Sequence, residues 1–112
     1  MKKSLITYDD FDKLDIRIGE IKEAAPVEKS TKLLSLMVDF GEDYGVVEIL
    51  SGIAQYYTPD ELVGKKIPFI ANLEPRKMMG KFSNGMIMCA DTEEKPTLFD
   101  IVSGVPNGTI VR

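Results

Sequence analysis

Arg76, Lys77 and Lys81 lie close together within Asn72 to Met86, NLEPRKMMGKFSNGM, beside the polar side chains of Ser83 and Asn84. That mixture suits phosphate binding. Guanidinium and ammonium groups neutralise phosphates, hydroxyl and amide groups hydrogen-bond a nucleic-acid backbone or base edges, and Met86 offers a polarizable apolar contact. Asn84-Gly85 predicts a tight turn, and Gly80 lets backbone approach a ligand without a side chain in the way. Bond-making chemistry has little to stand on. The chain has no histidine, which removes His-based triads, an imidazole general base and His-bearing metal sites. The carboxylate pairs Asp9-Asp10, Glu42-Asp43, Asp60-Glu61 and Glu93-Glu94 fall at expected turns or caps, where solvation explains them. No glycine-rich phosphate loop can be written, and the single Cys89, inside MIMCAD, reads as an inert strand thiol. No catalytic residue, metal or cofactor is expected.

The scaffold that must carry these groups is small. At 112 residues and 44% hydrophobic, the sequence predicts one domain, 1–112, with no linker, repeat or low-complexity segment. No stretch approaches the roughly 20 apolar residues of a membrane span, so a soluble, cytoplasmic protein is expected. Net charge is −4, yet its distribution is uneven. Gly64 to Phe82 carries five cations against Glu74, a local +4, whereas Asp39 to Glu61 carries six carboxylates and no cation, a local −6. Such polarity lets one face meet phosphates while the rest resists indiscriminate binding.

Periodicity predicts a mostly β architecture. A helical turn is expected at Thr7 to Leu14, with Thr7, Asp9 and Asp10 as possible caps. Asp15 to Ala25 reads as a strand whose phase slips at Gly19-Glu20, as a bulge would make it. Lys32 to Phe40 alternates cleanly, Val46 to Leu50 is a short β-branched run, and Thr58-Pro59-Asp60-Glu61 spells a capped helix ending near Gly64. Lys66 to Leu73 and Gly85 to Asp91 alternate and are expected to form a hairpin, followed by short strands at Leu98 to Val102 and Thr109 to Val111 around the Pro106-Asn107-Gly108 turn. The sum is an all-β, five-stranded Greek-key barrel of the OB type, with a small helix between strands 3 and 4 and a short C-terminal β extension. An SH3-like barrel is the alternative.

Five segments, in order, resemble one known family. FDKLDIRIGE (Phe11 to Glu20), EKSTKLLSLMVDFG (Glu28 to Gly41), SGIAQYY (Ser51 to Tyr57), PDELVGK (Pro59 to Lys65) and the NLEPRKMMGKFSNGM stretch are similar to the tRNA-binding domains attached to methionyl-tRNA synthetases and to their free-standing relatives. The resemblance implies an OB fold, non-catalytic binding of folded tRNA by shape and phosphate contacts, and frequently a homodimer. Carried over residue by residue, it implies an RNA-contacting set of Lys32, Asn72, Arg76, Lys77, Lys81, Ser83, Asn84 and Met86. For Arg76 an ion pair with Glu74 is the alternative, and for Met86 a core position.

Val27-Glu28-Lys29-Ser30-Thr31-Lys32-Leu33 resembles the synthetase form more than the HPxADKL of cytokine-like relatives. The implied identity is therefore a methionyl-tRNA synthetase β subunit or detached C-terminal domain, working alone or with a catalytic subunit. Before SGI, where relatives often place a basic residue, this chain has Val46-Val47-Glu48. Lys77 to Lys81 is only faintly similar to the KMSKS loop of synthetases, whose other parts the chain lacks. An export-chaperone-like or protein-interaction and dimerisation module of the same fold is the competing reading. Scattered aromatics make base stacking a secondary mechanism at most.

Overall fold

Leu34, Leu36, Val38 and Phe40 alternate with polar or half-buried neighbours. In the computed structural model, which describes residues 1–112, all four are buried along β2 (Leu34–Asp39) and its exit. β2 pairs antiparallel with β1 (Ile16–Pro26) on one side and β3 (Val46–Ser51) on the other. β1 in turn pairs with β4 (Lys66–Ile70), and β4 with β7 (Met86–Ile87). The sheet order β3-β2-β1-β4-β7 is a curled antiparallel path whose two ends approach each other. Asn84, just before β7, donates its backbone N–H to the Glu48 carbonyl of β3 at 3.0 Å. A short β10 (Ile110–Val111) adds to the start of β1. The mostly β, OB-type expectation holds.

Two small helices punctuate the sheet, each specified by its cap. In α1 (Tyr8–Asp12) the Thr7 hydroxyl accepts from the Asp10 N–H while the Asp10 carboxylate accepts from the Thr7 N–H. Thr58 and Glu61 make the same reciprocal pair at α2 (Pro59–Leu62), which lies between β3 and β4 as expected. Leu62 drops from α2 into a core that includes Ile21, Leu36, Ile49, Ile67 and Phe69. Phe69 meets Phe40 edge to face with ring centroids 5.5 Å apart.

Four expectations need correcting. The register slips between Ile21 and Glu23, leaving Lys22 as the extra residue, rather than at Gly19-Glu20. Gly19 is instead small because strands crowd it, since a Cβ there would lie 2.5 Å from the Val38 side chain. The strand expected at Lys66 to Leu73 ends at Ile70. In place of one plain hairpin, the connection to β7 grows a second hairpin of β5 (Arg76–Met78) and β6 (Lys81–Ser83). Its turn is Met79-Gly80, both at positive φ (50° and 79°), and not Asn84-Gly85. Finally, Leu98 to Val102 forms no strand; the nearest pairing is β8 (Ala90–Asp91) with β9 (Pro96–Thr97).

Candidate nucleic-acid interface

The β5–β6 hairpin is seated on β3 chiefly through Glu48. Its carbonyl accepts from both the backbone N–H and the side-chain amide of Asn84, at 3.0 and 3.1 Å. Its carboxylate accepts from Lys81 Nζ at 2.9 Å and from the Ser35 hydroxyl. The Ser35 hydroxyl, then the Lys81 ammonium, hold that carboxyl below the usual carboxylate range despite partial burial. Ser83 adds a second anchor. Buried at 5% exposure, its hydroxyl accepts from the Leu50 N–H at 3.0 Å and donates to the Gly85 carbonyl at 3.1 Å.

These bonds divide the eight expected RNA-contacting residues. Lys81, Ser83 and Asn84 are engaged in holding the hairpin, and Ser83 is too deep to reach a ligand. Asn72 is also engaged: its amide accepts from the Asp15 N–H at 2.8 Å and donates to the Lys13 carbonyl at 2.7 Å, fixing the end of α1 to the β4 exit. Arg76, Lys77, Lys32 and Met86 remain free and exposed. Arg76 makes no ion pair, so the alternative pairing with Glu74 is absent. Met86 is 57% exposed, which excludes the core position.

The hairpin is two-faced because side chains alternate along a strand and cross-strand partners share a face. Arg76 pairs with Ser83 and Met78 with Lys81, turned toward the barrel; Lys77 pairs with Phe82 on the outer side. Arg76, Met78 and Met86, with Leu73 and Glu74, wall a groove of about 530 Å³ floored by Leu50 and Ile87. The groove was invisible in sequence. Its far wall, Ser51-Gly52, was legible only as part of the SGIAQYY match. Lys32 lies apart from this lining, though its carbonyl accepts from the Ala54 N–H just beyond that wall. The local +4 is less available than it reads, since Lys81 is paired with Glu48 and the half-buried Lys66 donates to the Val105 carbonyl at 2.6 Å.

Free cations thus lie above a groove on a curled β-sheet. The model described as "Putative tRNA binding domain" covers residues 16–110. The chain belongs to the tRNA-binding domain family. Among relatives of this tRNA-binding domain, the methionine-tRNA ligase of Clostridium acetobutylicum is 46% identical over 98% of the chain. The chain spans only 17% of that ligase's length. The crystal structure of a MetRS related protein from Pyrococcus horikoshii superposes with a TM-score of 0.91, at 38% identity, covering 98% of this chain and all of that one. The CsaA chaperone protein of Picrophilus torridus has a TM-score of 0.87 at 31% identity, covering 96% of this chain and all of its own. No helix of this family member is long and apolar enough to cross a membrane.

Proposed function

We propose that residues 1–112 act as one non-catalytic tRNA-binding module in the cytoplasm, the β subunit or detached C-terminal domain of a methionyl-tRNA synthetase, that recognises folded tRNA by shape and phosphate contacts. The observation that carries this reading is the unpaired, exposed Arg76 at the groove mouth with Lys77 on the hairpin's outer side. The likeness to methionine-tRNA ligases supports the synthetase connection. Lys32 and Met86 extend the contact set; Asn72, Lys81, Ser83 and Asn84 act through the shape they maintain.

With few phosphates met per protomer, a single copy binds weakly, and a two-fold dimer raises affinity by avidity. Exposed Leu5, Ile6, Tyr8, Phe11, Ile110 and Val111 support such a dimer through the N-terminal turn and C-terminal extension.

A tRNA titration at low and near-physiological salt, with Arg76→Ala/Lys77→Ala as the variant, tests the reading. The double variant is expected to lose about tenfold or more in affinity, to flatten the log K against log salt slope by about 2, and to keep its melting temperature. Absence of binding by the unaltered protein at low salt would sink the proposal.

A peptide-binding reading has one observation in its favour, the 31% likeness to a CsaA chaperone protein, together with apolar Met79 and Met86 on the surface. Salt separates the two. Binding carried by apolar contacts holds or strengthens as salt rises, whereas phosphate-driven binding weakens.

A further inference from the structure

Phe82 stands out on the β5–β6 hairpin as an exposed ring with no aromatic or cationic partner. Its side chain is 54% exposed, and no other aromatic ring of the chain packs against it. Lys77 is its cross-strand partner, yet no cation sits over the ring; the chain's two such contacts are Arg17 with Tyr44 and Lys95 with Tyr57. Other exposed aromatics are placed differently. Tyr8 and Phe11 lie against each other with centroids 6.2 Å apart, and Tyr56 and Phe99 are remote in sequence from Arg76 and Lys77. Phe82 alone shares the hairpin with those two free cations.

A water-exposed phenyl face flanked by a lysine complements a nucleotide in both of its parts. The ring offers a flat apolar surface to a base, and the ammonium meets the phosphate attached to it. Paired bases hide their faces in the helix, so the matching ligand is an unpaired base in a loop or bulge. We propose that Phe82 is a stacking platform for one unpaired nucleobase of the bound RNA, with Lys77 holding the adjoining phosphate. This rests on the tRNA-binding reading above and adds a non-electrostatic contact to it. Stacking thus has a larger part than the scattered aromatics of the sequence suggest.

The experiment compares Phe82→Ala, Phe82→Leu and Phe82→Trp with the unaltered protein, titrating folded tRNA across a salt series, with thermal melting as the folding control. Phe82→Ala is expected to weaken binding about 5- to 100-fold at every salt concentration, leaving the salt slope and the melting temperature unchanged. Phe82→Trp should restore affinity and Phe82→Leu should not, because leucine supplies apolar area without a π face. If Phe82→Ala binds as the unaltered protein does while Arg76→Ala/Lys77→Ala fails, stacking is wrong and the tRNA reading survives. Full affinity in Phe82→Leu would reduce the contact to simple apolar packing and overturn the proposal. If the unaltered protein ignores tRNA at low salt, both readings fall together.

Discussion

Glu74 is the residue least suited to its neighbourhood. It lines the groove with Arg76, is exposed, and pairs with no cation. A free carboxylate beside incoming phosphates repels them, by an amount that water and salt keep small. Glu74→Gln is therefore expected to tighten tRNA binding about 2- to 5-fold at low salt, an advantage that fades at high salt. Anisotropy titrations at two ionic strengths check it; equal affinities at low salt would mean that Glu74 points away from the bound backbone. Residue types alone do not reveal which polar groups of the segment are already engaged. Ser83 and Asn84 carry the donors and acceptors expected of RNA contacts, but the backbone of β3 already uses them.

Two glycines of the hairpin segment have opposite reasons to be glycine. Gly80 sits at φ 79° in the turn with open space around it, so its requirement is conformational. Gly85 has an ordinary φ, but a Cβ there would stand 2.7 Å from the Ile70 carbonyl oxygen and 3.0 Å from the Ile49 side chain. Gly80→Ala is expected to cost about 1 kcal/mol, from the left-handed backbone. Gly85→Ala costs more, about 1–3 kcal/mol, because it wedges the start of β7 off Ile70 of β4 and Ile49 of β3. Chemical denaturation of the two variants checks the order; a milder effect at Gly85 would show that the closure is loose. In sequence the assignment looked reversed, since Asn-Gly is the strongest short turn signal and Met is rarely found at positive φ. Tertiary pairing of Asn84 with Glu48 overrode that local preference.

Across the molecule, carboxylates held down by partners set the acid limit of the fold. The Asp15 carboxyl is lowered chiefly by its hydrogen bond to Arg17, Glu20 by the Asn107 amide, and Glu48 by Ser35 and then Lys81. A carboxyl lowered in the folded state contributes stability above its unfolded value and loses that contribution as pH falls through the folded one. Melting temperature is expected to be level near neutrality and to drop from about pH 4.5 downward, with a shallower drop in Glu48→Gln. Identical acid profiles would mean that Glu48 carries no linked stability.

The proposed dimer is tested at this scale as well. Phe11→Asp places a charge on the exposed N-terminal face and is expected to give monomers in sedimentation at micromolar concentration, while the unaltered chain sediments as a dimer. A monomeric unaltered chain would remove the dimer. The overall architecture was legible where local and long-range preferences agree, as in Leu34 to Phe40 and in the Thr58-Glu61 cap. It was illegible at Leu98 to Val102, where an apolar-rich run forms no strand and the short pairing falls instead at Ala90–Asp91 with Pro96–Thr97.

Glu48 ties surface charge to barrel closure, and that limits how the chain can change over generations. Reversing its sign would release Lys81 only at the expense of the hairpin's seat. A lysine there would face Lys81 and leave the Ser35 hydroxyl without its acceptor, loosening the hairpin it was meant to make more basic. Positions 35, 48 and 81 are thus expected to drift as a set, each acceptable only in the company of the other two.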